Sequence, residues 1–206
     1  MRRLVLHNRR LKMMLIHDQL KSYVQQHMPV SDEDWAIILP KFKPVFVPKN
    51  HYLVSSGQTC RHMFFINSGL FRVYLSDNPV DINRYFAVEN TFFTTLTSFL
   101  TQNPSLENMQ ALEDGCVLKI HYESLELLYQ QYPAWSNLFR QLYQVACMDM
   151  AKRIDVFITK SAEDRYNELL KSRPDLIRRV PQQHLASFLG VTPVTLSRIR
   201  GKIVRP

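Results

Sequence analysis

The sequence contains no apolar stretch approaching the roughly 18–20 residues that a membrane-spanning helix needs. Its basic opening, MRRLVLHNRRLKMMLIH, lacks the continuous apolar segment and small-residue cleavage site of a secretory signal. It reads instead as a short amphipathic helix or a frayed arm. Cysteine is scarce: Cys60, Cys116 and Cys147 stand far apart. That spacing excludes a sequence-evident disulfide framework, a CxxC metal site and a four-cysteine iron–sulfur cluster, and fits free thiols in a reducing cytoplasm. The seven histidines form no H-x-x-x-H or H-x-H pair. With no nucleophile–base pair, phosphate loop or metal constellation, neither an enzyme nor a bound metal or cofactor is expected.

What is present is a globular composition with uneven charge. At 206 residues, 46% hydrophobic and 11% aromatic, the chain can build one core and a small second one. It carries 26 Lys+Arg against 18 Asp+Glu, a net charge of +8. Ten basic residues oppose four acidic ones between Thr159 and Pro206, and five more basic groups fall in the first twelve positions. The stretch 13–158 is therefore slightly acidic. A basic module on an acidic body suits a phosphate backbone as partner.

The end of that basic module carries the clearest pattern. In Arg179–Arg200, RVPQQHLASFLGVTPVTLSRIR, residues Leu185, Ala186 and Leu189 share one face of a short helix from Gln182 to Leu189. Gly190 ends it, Thr192 can cap the next helix, and Pro193 suits its first position. Leu196, Ile199 and Ile203 form the buried side of this second helix, leaving Val194, Ser197, Arg198 and Gly201 outward. A small residue four positions before the turn glycine and an aliphatic one six after it match a helix-turn-helix. An ordinary helical hairpin would also fit the periodicity. It would not explain why the charge excess coincides with it.

Upstream, residues 20–40 look helical. Short apolar runs then follow at Val45–Val47, His51–Val54, Met63–Asn67, Leu70–Leu75, Ile82–Val88 and Cys116–His121, separated by turn residues, with a short helix at Leu96–Leu100. Strands so spaced suggest an antiparallel sandwich or barrel. From Pro133 to about Ile158 neither Gly nor a further Pro occurs, which predicts a helix about 39 Å long. Its apolar stripe of Phe139, Leu142, Tyr143, Ala146, Met150, Ile154 and Phe157 is wider than one core needs. Either the helix faces its own core broadly, or Phe139, Leu142, Ala146, Met150, Ile154 and Phe157 pair with a second copy in a homodimer. Two-fold DNA readers need the latter.

The order of small barrel, long helix and C-terminal helix-turn-helix resembles the Crp/Fnr family of bacterial transcription regulators. Three stretches carry the resemblance: HYLVSSGQTCRHMFFINSGLFRVYL at His51–Leu75, MQALEDGCVLKIHYESLELLYQQYP at Met109–Pro133, and the helix-turn-helix itself. It implies an α+β fold in three parts. Residues 1–132 would form a double-stranded β-helix, the jelly-roll barrel of a cyclic-nucleotide-binding-like sensor. Residues 133–159 would form the dimerisation helix, and 160–206 a winged-helix-type helix-turn-helix domain. It further implies double-stranded DNA, a second copy and RNA polymerase as partners, and no membrane. Val194 and Arg198 would read bases, beside Ser197. Gln183, Thr192 and Thr195 would touch phosphates, with Arg200 and Lys202 adding charge.

One departure stands out. Cyclic-nucleotide-binding members of the family supply a Gly-Glu pair for the ribose and an Arg for the phosphate. The corresponding positions here hold Thr94-Thr95 and Ser105-Leu106, and no Arg or Lys occurs between Tyr85 and Val117. An anionic ligand would meet Phe92, Phe93, Thr94, Thr95, Phe99 and Ser105, with Glu89 and Glu107 nearby, and no cation. Those residues either line a pocket for an uncharged or aromatic effector or simply fill the barrel. A non-DNA ligand-binding or interaction module remains the alternative from another functional class.

Overall fold

The computed structural model describes residues 16–77 and 80–204, with side chains through Lys202. The basic opening segment and the Ile203 side chain thus lie outside the described residues. Helix α1 covers 16–25 and α2 covers Asp32–Ile38, so the helical stretch expected over 20–40 is two helices. Ser31 starts the second: its hydroxyl accepts from the Asp34 amide, and three acidic residues occupy a first turn that favours negative charge.

Eight strands are present among the described residues: β1 (Lys43–Val47), β2 (Tyr52–Val54), β3 (His62–Ser68), β4 (Phe71–Asp77), β5 (Val80–Ala87), β6 (Phe92–Phe93), β7 (Glu107–Ala111) and β8 (Gly115–His121). Helix α3 (Leu96–Thr101) lies between β6 and β7. All pairings are antiparallel, in two sheets of order β1-β8-β3-β6 and β2-β7-β4-β5. Strand β7 was absent from the expected runs because ENMQA shows no apolar alternation. Met109 is fully buried, but Asn108 and Gln110 are buried too, each hydrogen-bonded to another segment.

Side-chain alternation along β3 divides the core into two layers. Phe64 points between the sheets and meets Phe93, which in turn lies 5.2 Å from Phe71 of the opposite sheet. Phe65 points the other way with its strand partner Phe92, and both pack on Tyr23 of α1. Helix α4 (Tyr122–Gln131) and the first turns of α5 (Pro133–Thr159) complete this outer layer. There Trp135 stacks on Phe139, and Phe139 covers Phe92. At the barrel's end Gly69 (φ +99°) passes so close to Gly115 that a Cβ would stand 2.8 Å from the Gly115 Cα. Both the turn and the contact require glycine.

Four helices follow: α6 (Ala162–Ser172), α7 (Pro174–Arg179), α8 (Gln182–Phe188) and α9 (Pro193–Val204). The short α7, absent from the expected elements, opens on Pro174, whose missing N–H costs nothing at a first helical position. The strand pair of a wing is not found among the described residues after Thr159, where α9 runs helical through Val204. A second apolar cluster joins this module to the barrel: Leu70, Phe86 and Leu112 pack with Tyr166, Leu176, Val180, Leu185, Ala186, Leu189, Leu196 and Ile199.

Candidate nucleic-acid interface

Helix α8 closes on Gly190 in the left-handed region (φ +67°), with Val191 N–H donating to the Ala186 carbonyl and Gly190 N–H to that of Ser187. This double hydrogen bond is a Schellman turn, and it aims the chain into α9. The Thr192 hydroxyl caps α9 by accepting from the Thr195 amide at 3.1 Å and also contacts the Thr195 hydroxyl at 2.9 Å. Leu196 and Ile199 are buried against α8, which leaves Val194 (61% exposed), Ser197 and Arg198 together on the outer side. Among the described residues nothing pairs with the Arg198 guanidinium. Gln183 is exposed at the start of α8.

Arg200 and Lys202 lie differently. Arg200 is half-buried, its guanidinium 5.8 Å from the Tyr166 ring and its Nε without a partner among the described residues. Lys202 pairs with Glu163 of α6 at 3.3 Å. Both cations are thus partly committed within the module, Arg200 because two residues beyond Arg198 turn its side chain toward α6 and Lys202 through its ion pair.

The six barrel residues do not converge on one cavity. Phe92 faces the helices on the outer side of its sheet, one position out of phase with Phe93. Phe99 packs on Tyr122, and Thr94 donates to the His62 carbonyl while touching the Cys60 thiol. The Ser105 hydroxyl is taken up by the Glu107 backbone. Of the six, Thr95 alone is fully buried with a hydroxyl that has no partner among the described residues. Glu89 does not face this region at all. It makes two 2.8 Å hydrogen bonds to Arg179 of α7, whose guanidinium also grips Glu113 at 2.6 and 3.1 Å. Those bonds hold the Glu89 carboxyl below its usual range. Glu107 pairs with Arg84, yet burial raises its carboxyl.

The long helix also redistributes its stripe. Phe139 is buried in the chain's own core and Leu142 packs against it. Phe157 presses on Gly190 of the turn. Ala146 is half-buried. Met150 and Ile154 remain exposed, and Ile158, one turn further along the same face, is 77% exposed. Upstream on this side lies a groove of about 810 Å³, lined by Tyr129, Phe139, Tyr143, Cys147 and Met148 among others.

Sequence reading missed the contact between barrel and α8. Arg72 of β4 is only 4% exposed. It donates to Gln110, Asn83 and the His184 Nδ1 at 2.8, 3.3 and 2.9 Å, pairs with Asp81 at 2.9 Å, and stacks 3.7 Å over Tyr74. The bond from Arg72 requires His184 Nδ1 to be unprotonated. Burial, then the nearby Arg72 charge, depresses the His184 pKa to about 4, with Asp81 opposing.

With this geometry established, the comparisons are specific. Residues 44–132 match the cyclic nucleotide-binding domain family. A CooA mutant from Carboxydothermus hydrogenoformans superposes with a TM-score of 0.68 at 20% identity, over 85% of this chain and 81% of that one. A transcriptional regulator of the Crp/Fnr family from Eubacterium rectale gives 0.66 at 17% identity, over 84% and 85%. The chain has the Crp/Fnr fold. The Thermus thermophilus catabolite activator protein aligns at 17% identity and a TM-score of 0.54, over 85% and 84%. No curated protein matches the sequence. Among the described residues no helix is long and apolar enough to cross a membrane.

The depressed His184 pKa sets a pH dependence. Between about pH 6.5 and 4 an undocked His184 binds a proton that the docked one excludes. Docking is therefore at full strength above that window and weakens as pH falls through it. Amide-exchange protection of α8 should be lower at pH 5 than at pH 7. In His184→Gln, whose amide oxygen still accepts from Arg72, the difference should largely vanish.

Proposed function

We propose that the chain is a sequence-specific DNA-binding transcription regulator of the Crp/Fnr type, acting as a homodimer on an inverted-repeat site. One observation carries this reading: the capped helix α9 presents Val194, Ser197 and Arg198, which pairs with nothing among the described residues, outward from a basic module. The N-terminal part of a recognition helix reaches base edges in the major groove. Arg198 can pair bidentately with guanine O6 and N7, and Val194 can meet a thymine methyl one helical turn earlier. Thr192, Thr195 and Gln183 hold phosphates, while Arg200 and Lys202 contribute mainly field. Sensor barrel 1–132, dimer helix 133–159 and DNA module 160–206 are the working parts, and RNA polymerase is the further partner that such a role implies.

The exposed Met150, Ile154 and Ile158 support the dimer. An apolar helical face of this kind needs cover, and the family resemblance supplies a second copy. Two recognition helices related by the resulting axis would enter successive major grooves roughly 34 Å apart.

Cyclic AMP does not gate this regulator. No cation stands between Tyr85 and Val117, Glu89 is committed to Arg179, and the Thr94 and Ser105 hydroxyls are bound to backbone. A second reading, gating by an uncharged or aromatic effector, is favoured by the unpartnered Thr95 hydroxyl.

Sequences selected from random DNA by the purified protein test the whole reading and should be inverted repeats. On the selected site Arg198→Ala should lose about 1–3 kcal/mol, with little change on random DNA; equal losses on both would reduce Arg198 to a backbone contact. The Met150→Asp, Ile154→Asp double variant should be monomeric by light scattering and lose tight DNA binding. A monomeric wild type at micromolar concentration would end the dimer. Calorimetry with millimolar cyclic AMP should show no low-micromolar binding, and a dissociation constant in that range would restore a nucleotide sensor.

A further inference from the structure

The last four carbonyls of a helix have no partner within it. At the end of α8 two are closed locally, by Gly190 and Val191. The other two are closed from outside the helix. Arg153 of α5 donates to the Phe188 carbonyl at 2.9 Å, and Arg165 of α6 donates to that of Leu189 at 3.1 Å. The Phe157 ring sits 4.8 Å from each guanidinium and lies so near Gly190 that a Cβ there would come within 2.7 Å of it. Arg153 also stacks 3.9 Å over Phe188 and reaches the Asn83 carbonyl of β5 at 3.4 Å.

Strand β5 is the edge of its sheet, and an edge leaves backbone N–H and C=O groups unpaired. Ser187 of α8 takes two of them. Its hydroxyl accepts from the Asn83 amide at 3.0 Å and donates to the Asp81 carbonyl. The helix that leads into α9 is thus fixed to the barrel edge and to the long helix at once. By chain connection alone, α5 and α6 are joined through only Lys160 and Ser161, both extended.

We infer that Ser187 and Arg153 are positioning residues for DNA reading: they pin α8 to β5 and α5 and thereby set the separation of the two recognition helices. The inference rests on the dimeric DNA reading proposed above. A two-base-pair change in half-site spacing moves the sites by about 7 Å along the helix axis. Bonds of the length seen here cannot follow such a displacement, and those of Ser187 and Arg153 oppose it at the barrel edge beside the contacts of Arg72 and Arg179.

The test uses the full chain with Cys147→Ser, spin-labelled at Asp155→Cys on α5 and Arg178→Cys on α7, and diluted with unlabelled protein so that within-chain distances are read. The parent should give one narrow distance distribution. The Arg153→Gln, Ser187→Ala double variant should give one at least about twofold broader, while Ser187→Thr, which keeps the hydroxyl, should match the parent. On selected duplexes differing by two base pairs in spacing, the double variant should lose about tenfold of the parent's discrimination, the scale of a few lost hydrogen bonds. Affinity for a single half-site should change less than about threefold. Unchanged distances together with unchanged spacing discrimination would overturn the positioning role. Broadened distances in a protein whose parent distinguishes no DNA would uphold the pinning and overturn the DNA reading instead.

Discussion

A guanidinium buried on the outer face of a β-sheet is tolerable only when its donors and its charge are both answered. Arg72 satisfies that condition through two neighbouring strands and one helix: Gln110 on β7, Asn83 and Asp81 on β5, and His184 on α8. Remove α8 and the last of these is lost, together with the cover over the charge. The barrel and the helix-turn-helix are therefore joined by directional bonds at a stated geometry, and the shared apolar cluster of Leu70, Phe86 and Leu112 alone would fix that geometry less sharply. Arg179 repeats the arrangement on the α7 side with two carboxylates, Glu89 and Glu113, where Arg72 has one carboxylate and three neutral acceptors.

This interface changes what the acidic loops of the barrel do. Near an effector pocket Glu89 would repel an anion. In the structure it faces away from the Phe92–Ser105 region and binds Arg179 of the C-terminal helical module. The same chain segment that lacks a phosphate-binding cation has its nearest carboxylate committed to Arg179. Ligand chemistry and domain docking compete for one loop, and here docking has it.

The helix-turn-helix was legible because its determinants are local: a glycine at positive φ, a Thr-Pro start and an i, i+3 apolar repeat all lie within twenty residues. The long helix was legible from its lack of breakers, but the roles along it were not. One stripe serves the core at Phe139, solvent at Ile154 and the turn at Phe157, and periodicity cannot distinguish three neighbours of the same polarity. Strand β7 was lost for a related reason, since its outward Asn108 and Gln110 are buried by hydrogen bonding rather than by apolar contact. The dock was invisible because Arg72 and His184 are 112 positions apart and neither belongs to a motif. Phe92 and Phe93 show the limit at its smallest. A shift of one residue sends one ring to the helices and the other between the sheets.

Covering β5 with α8 has a consequence for solubility. An uncovered edge strand is a template onto which another chain can add, and β5 carries exposed Val80, Ile82 and Tyr85 beside the covered Asp81 and Asn83. A barrel expressed without residues 160–206 would present that edge open, with the Arg72 charge beneath it partly bared. Such a fragment is predisposed to self-associate through β5, so the C-terminal helical module acts for its own barrel as the cap that keeps the sheet from growing.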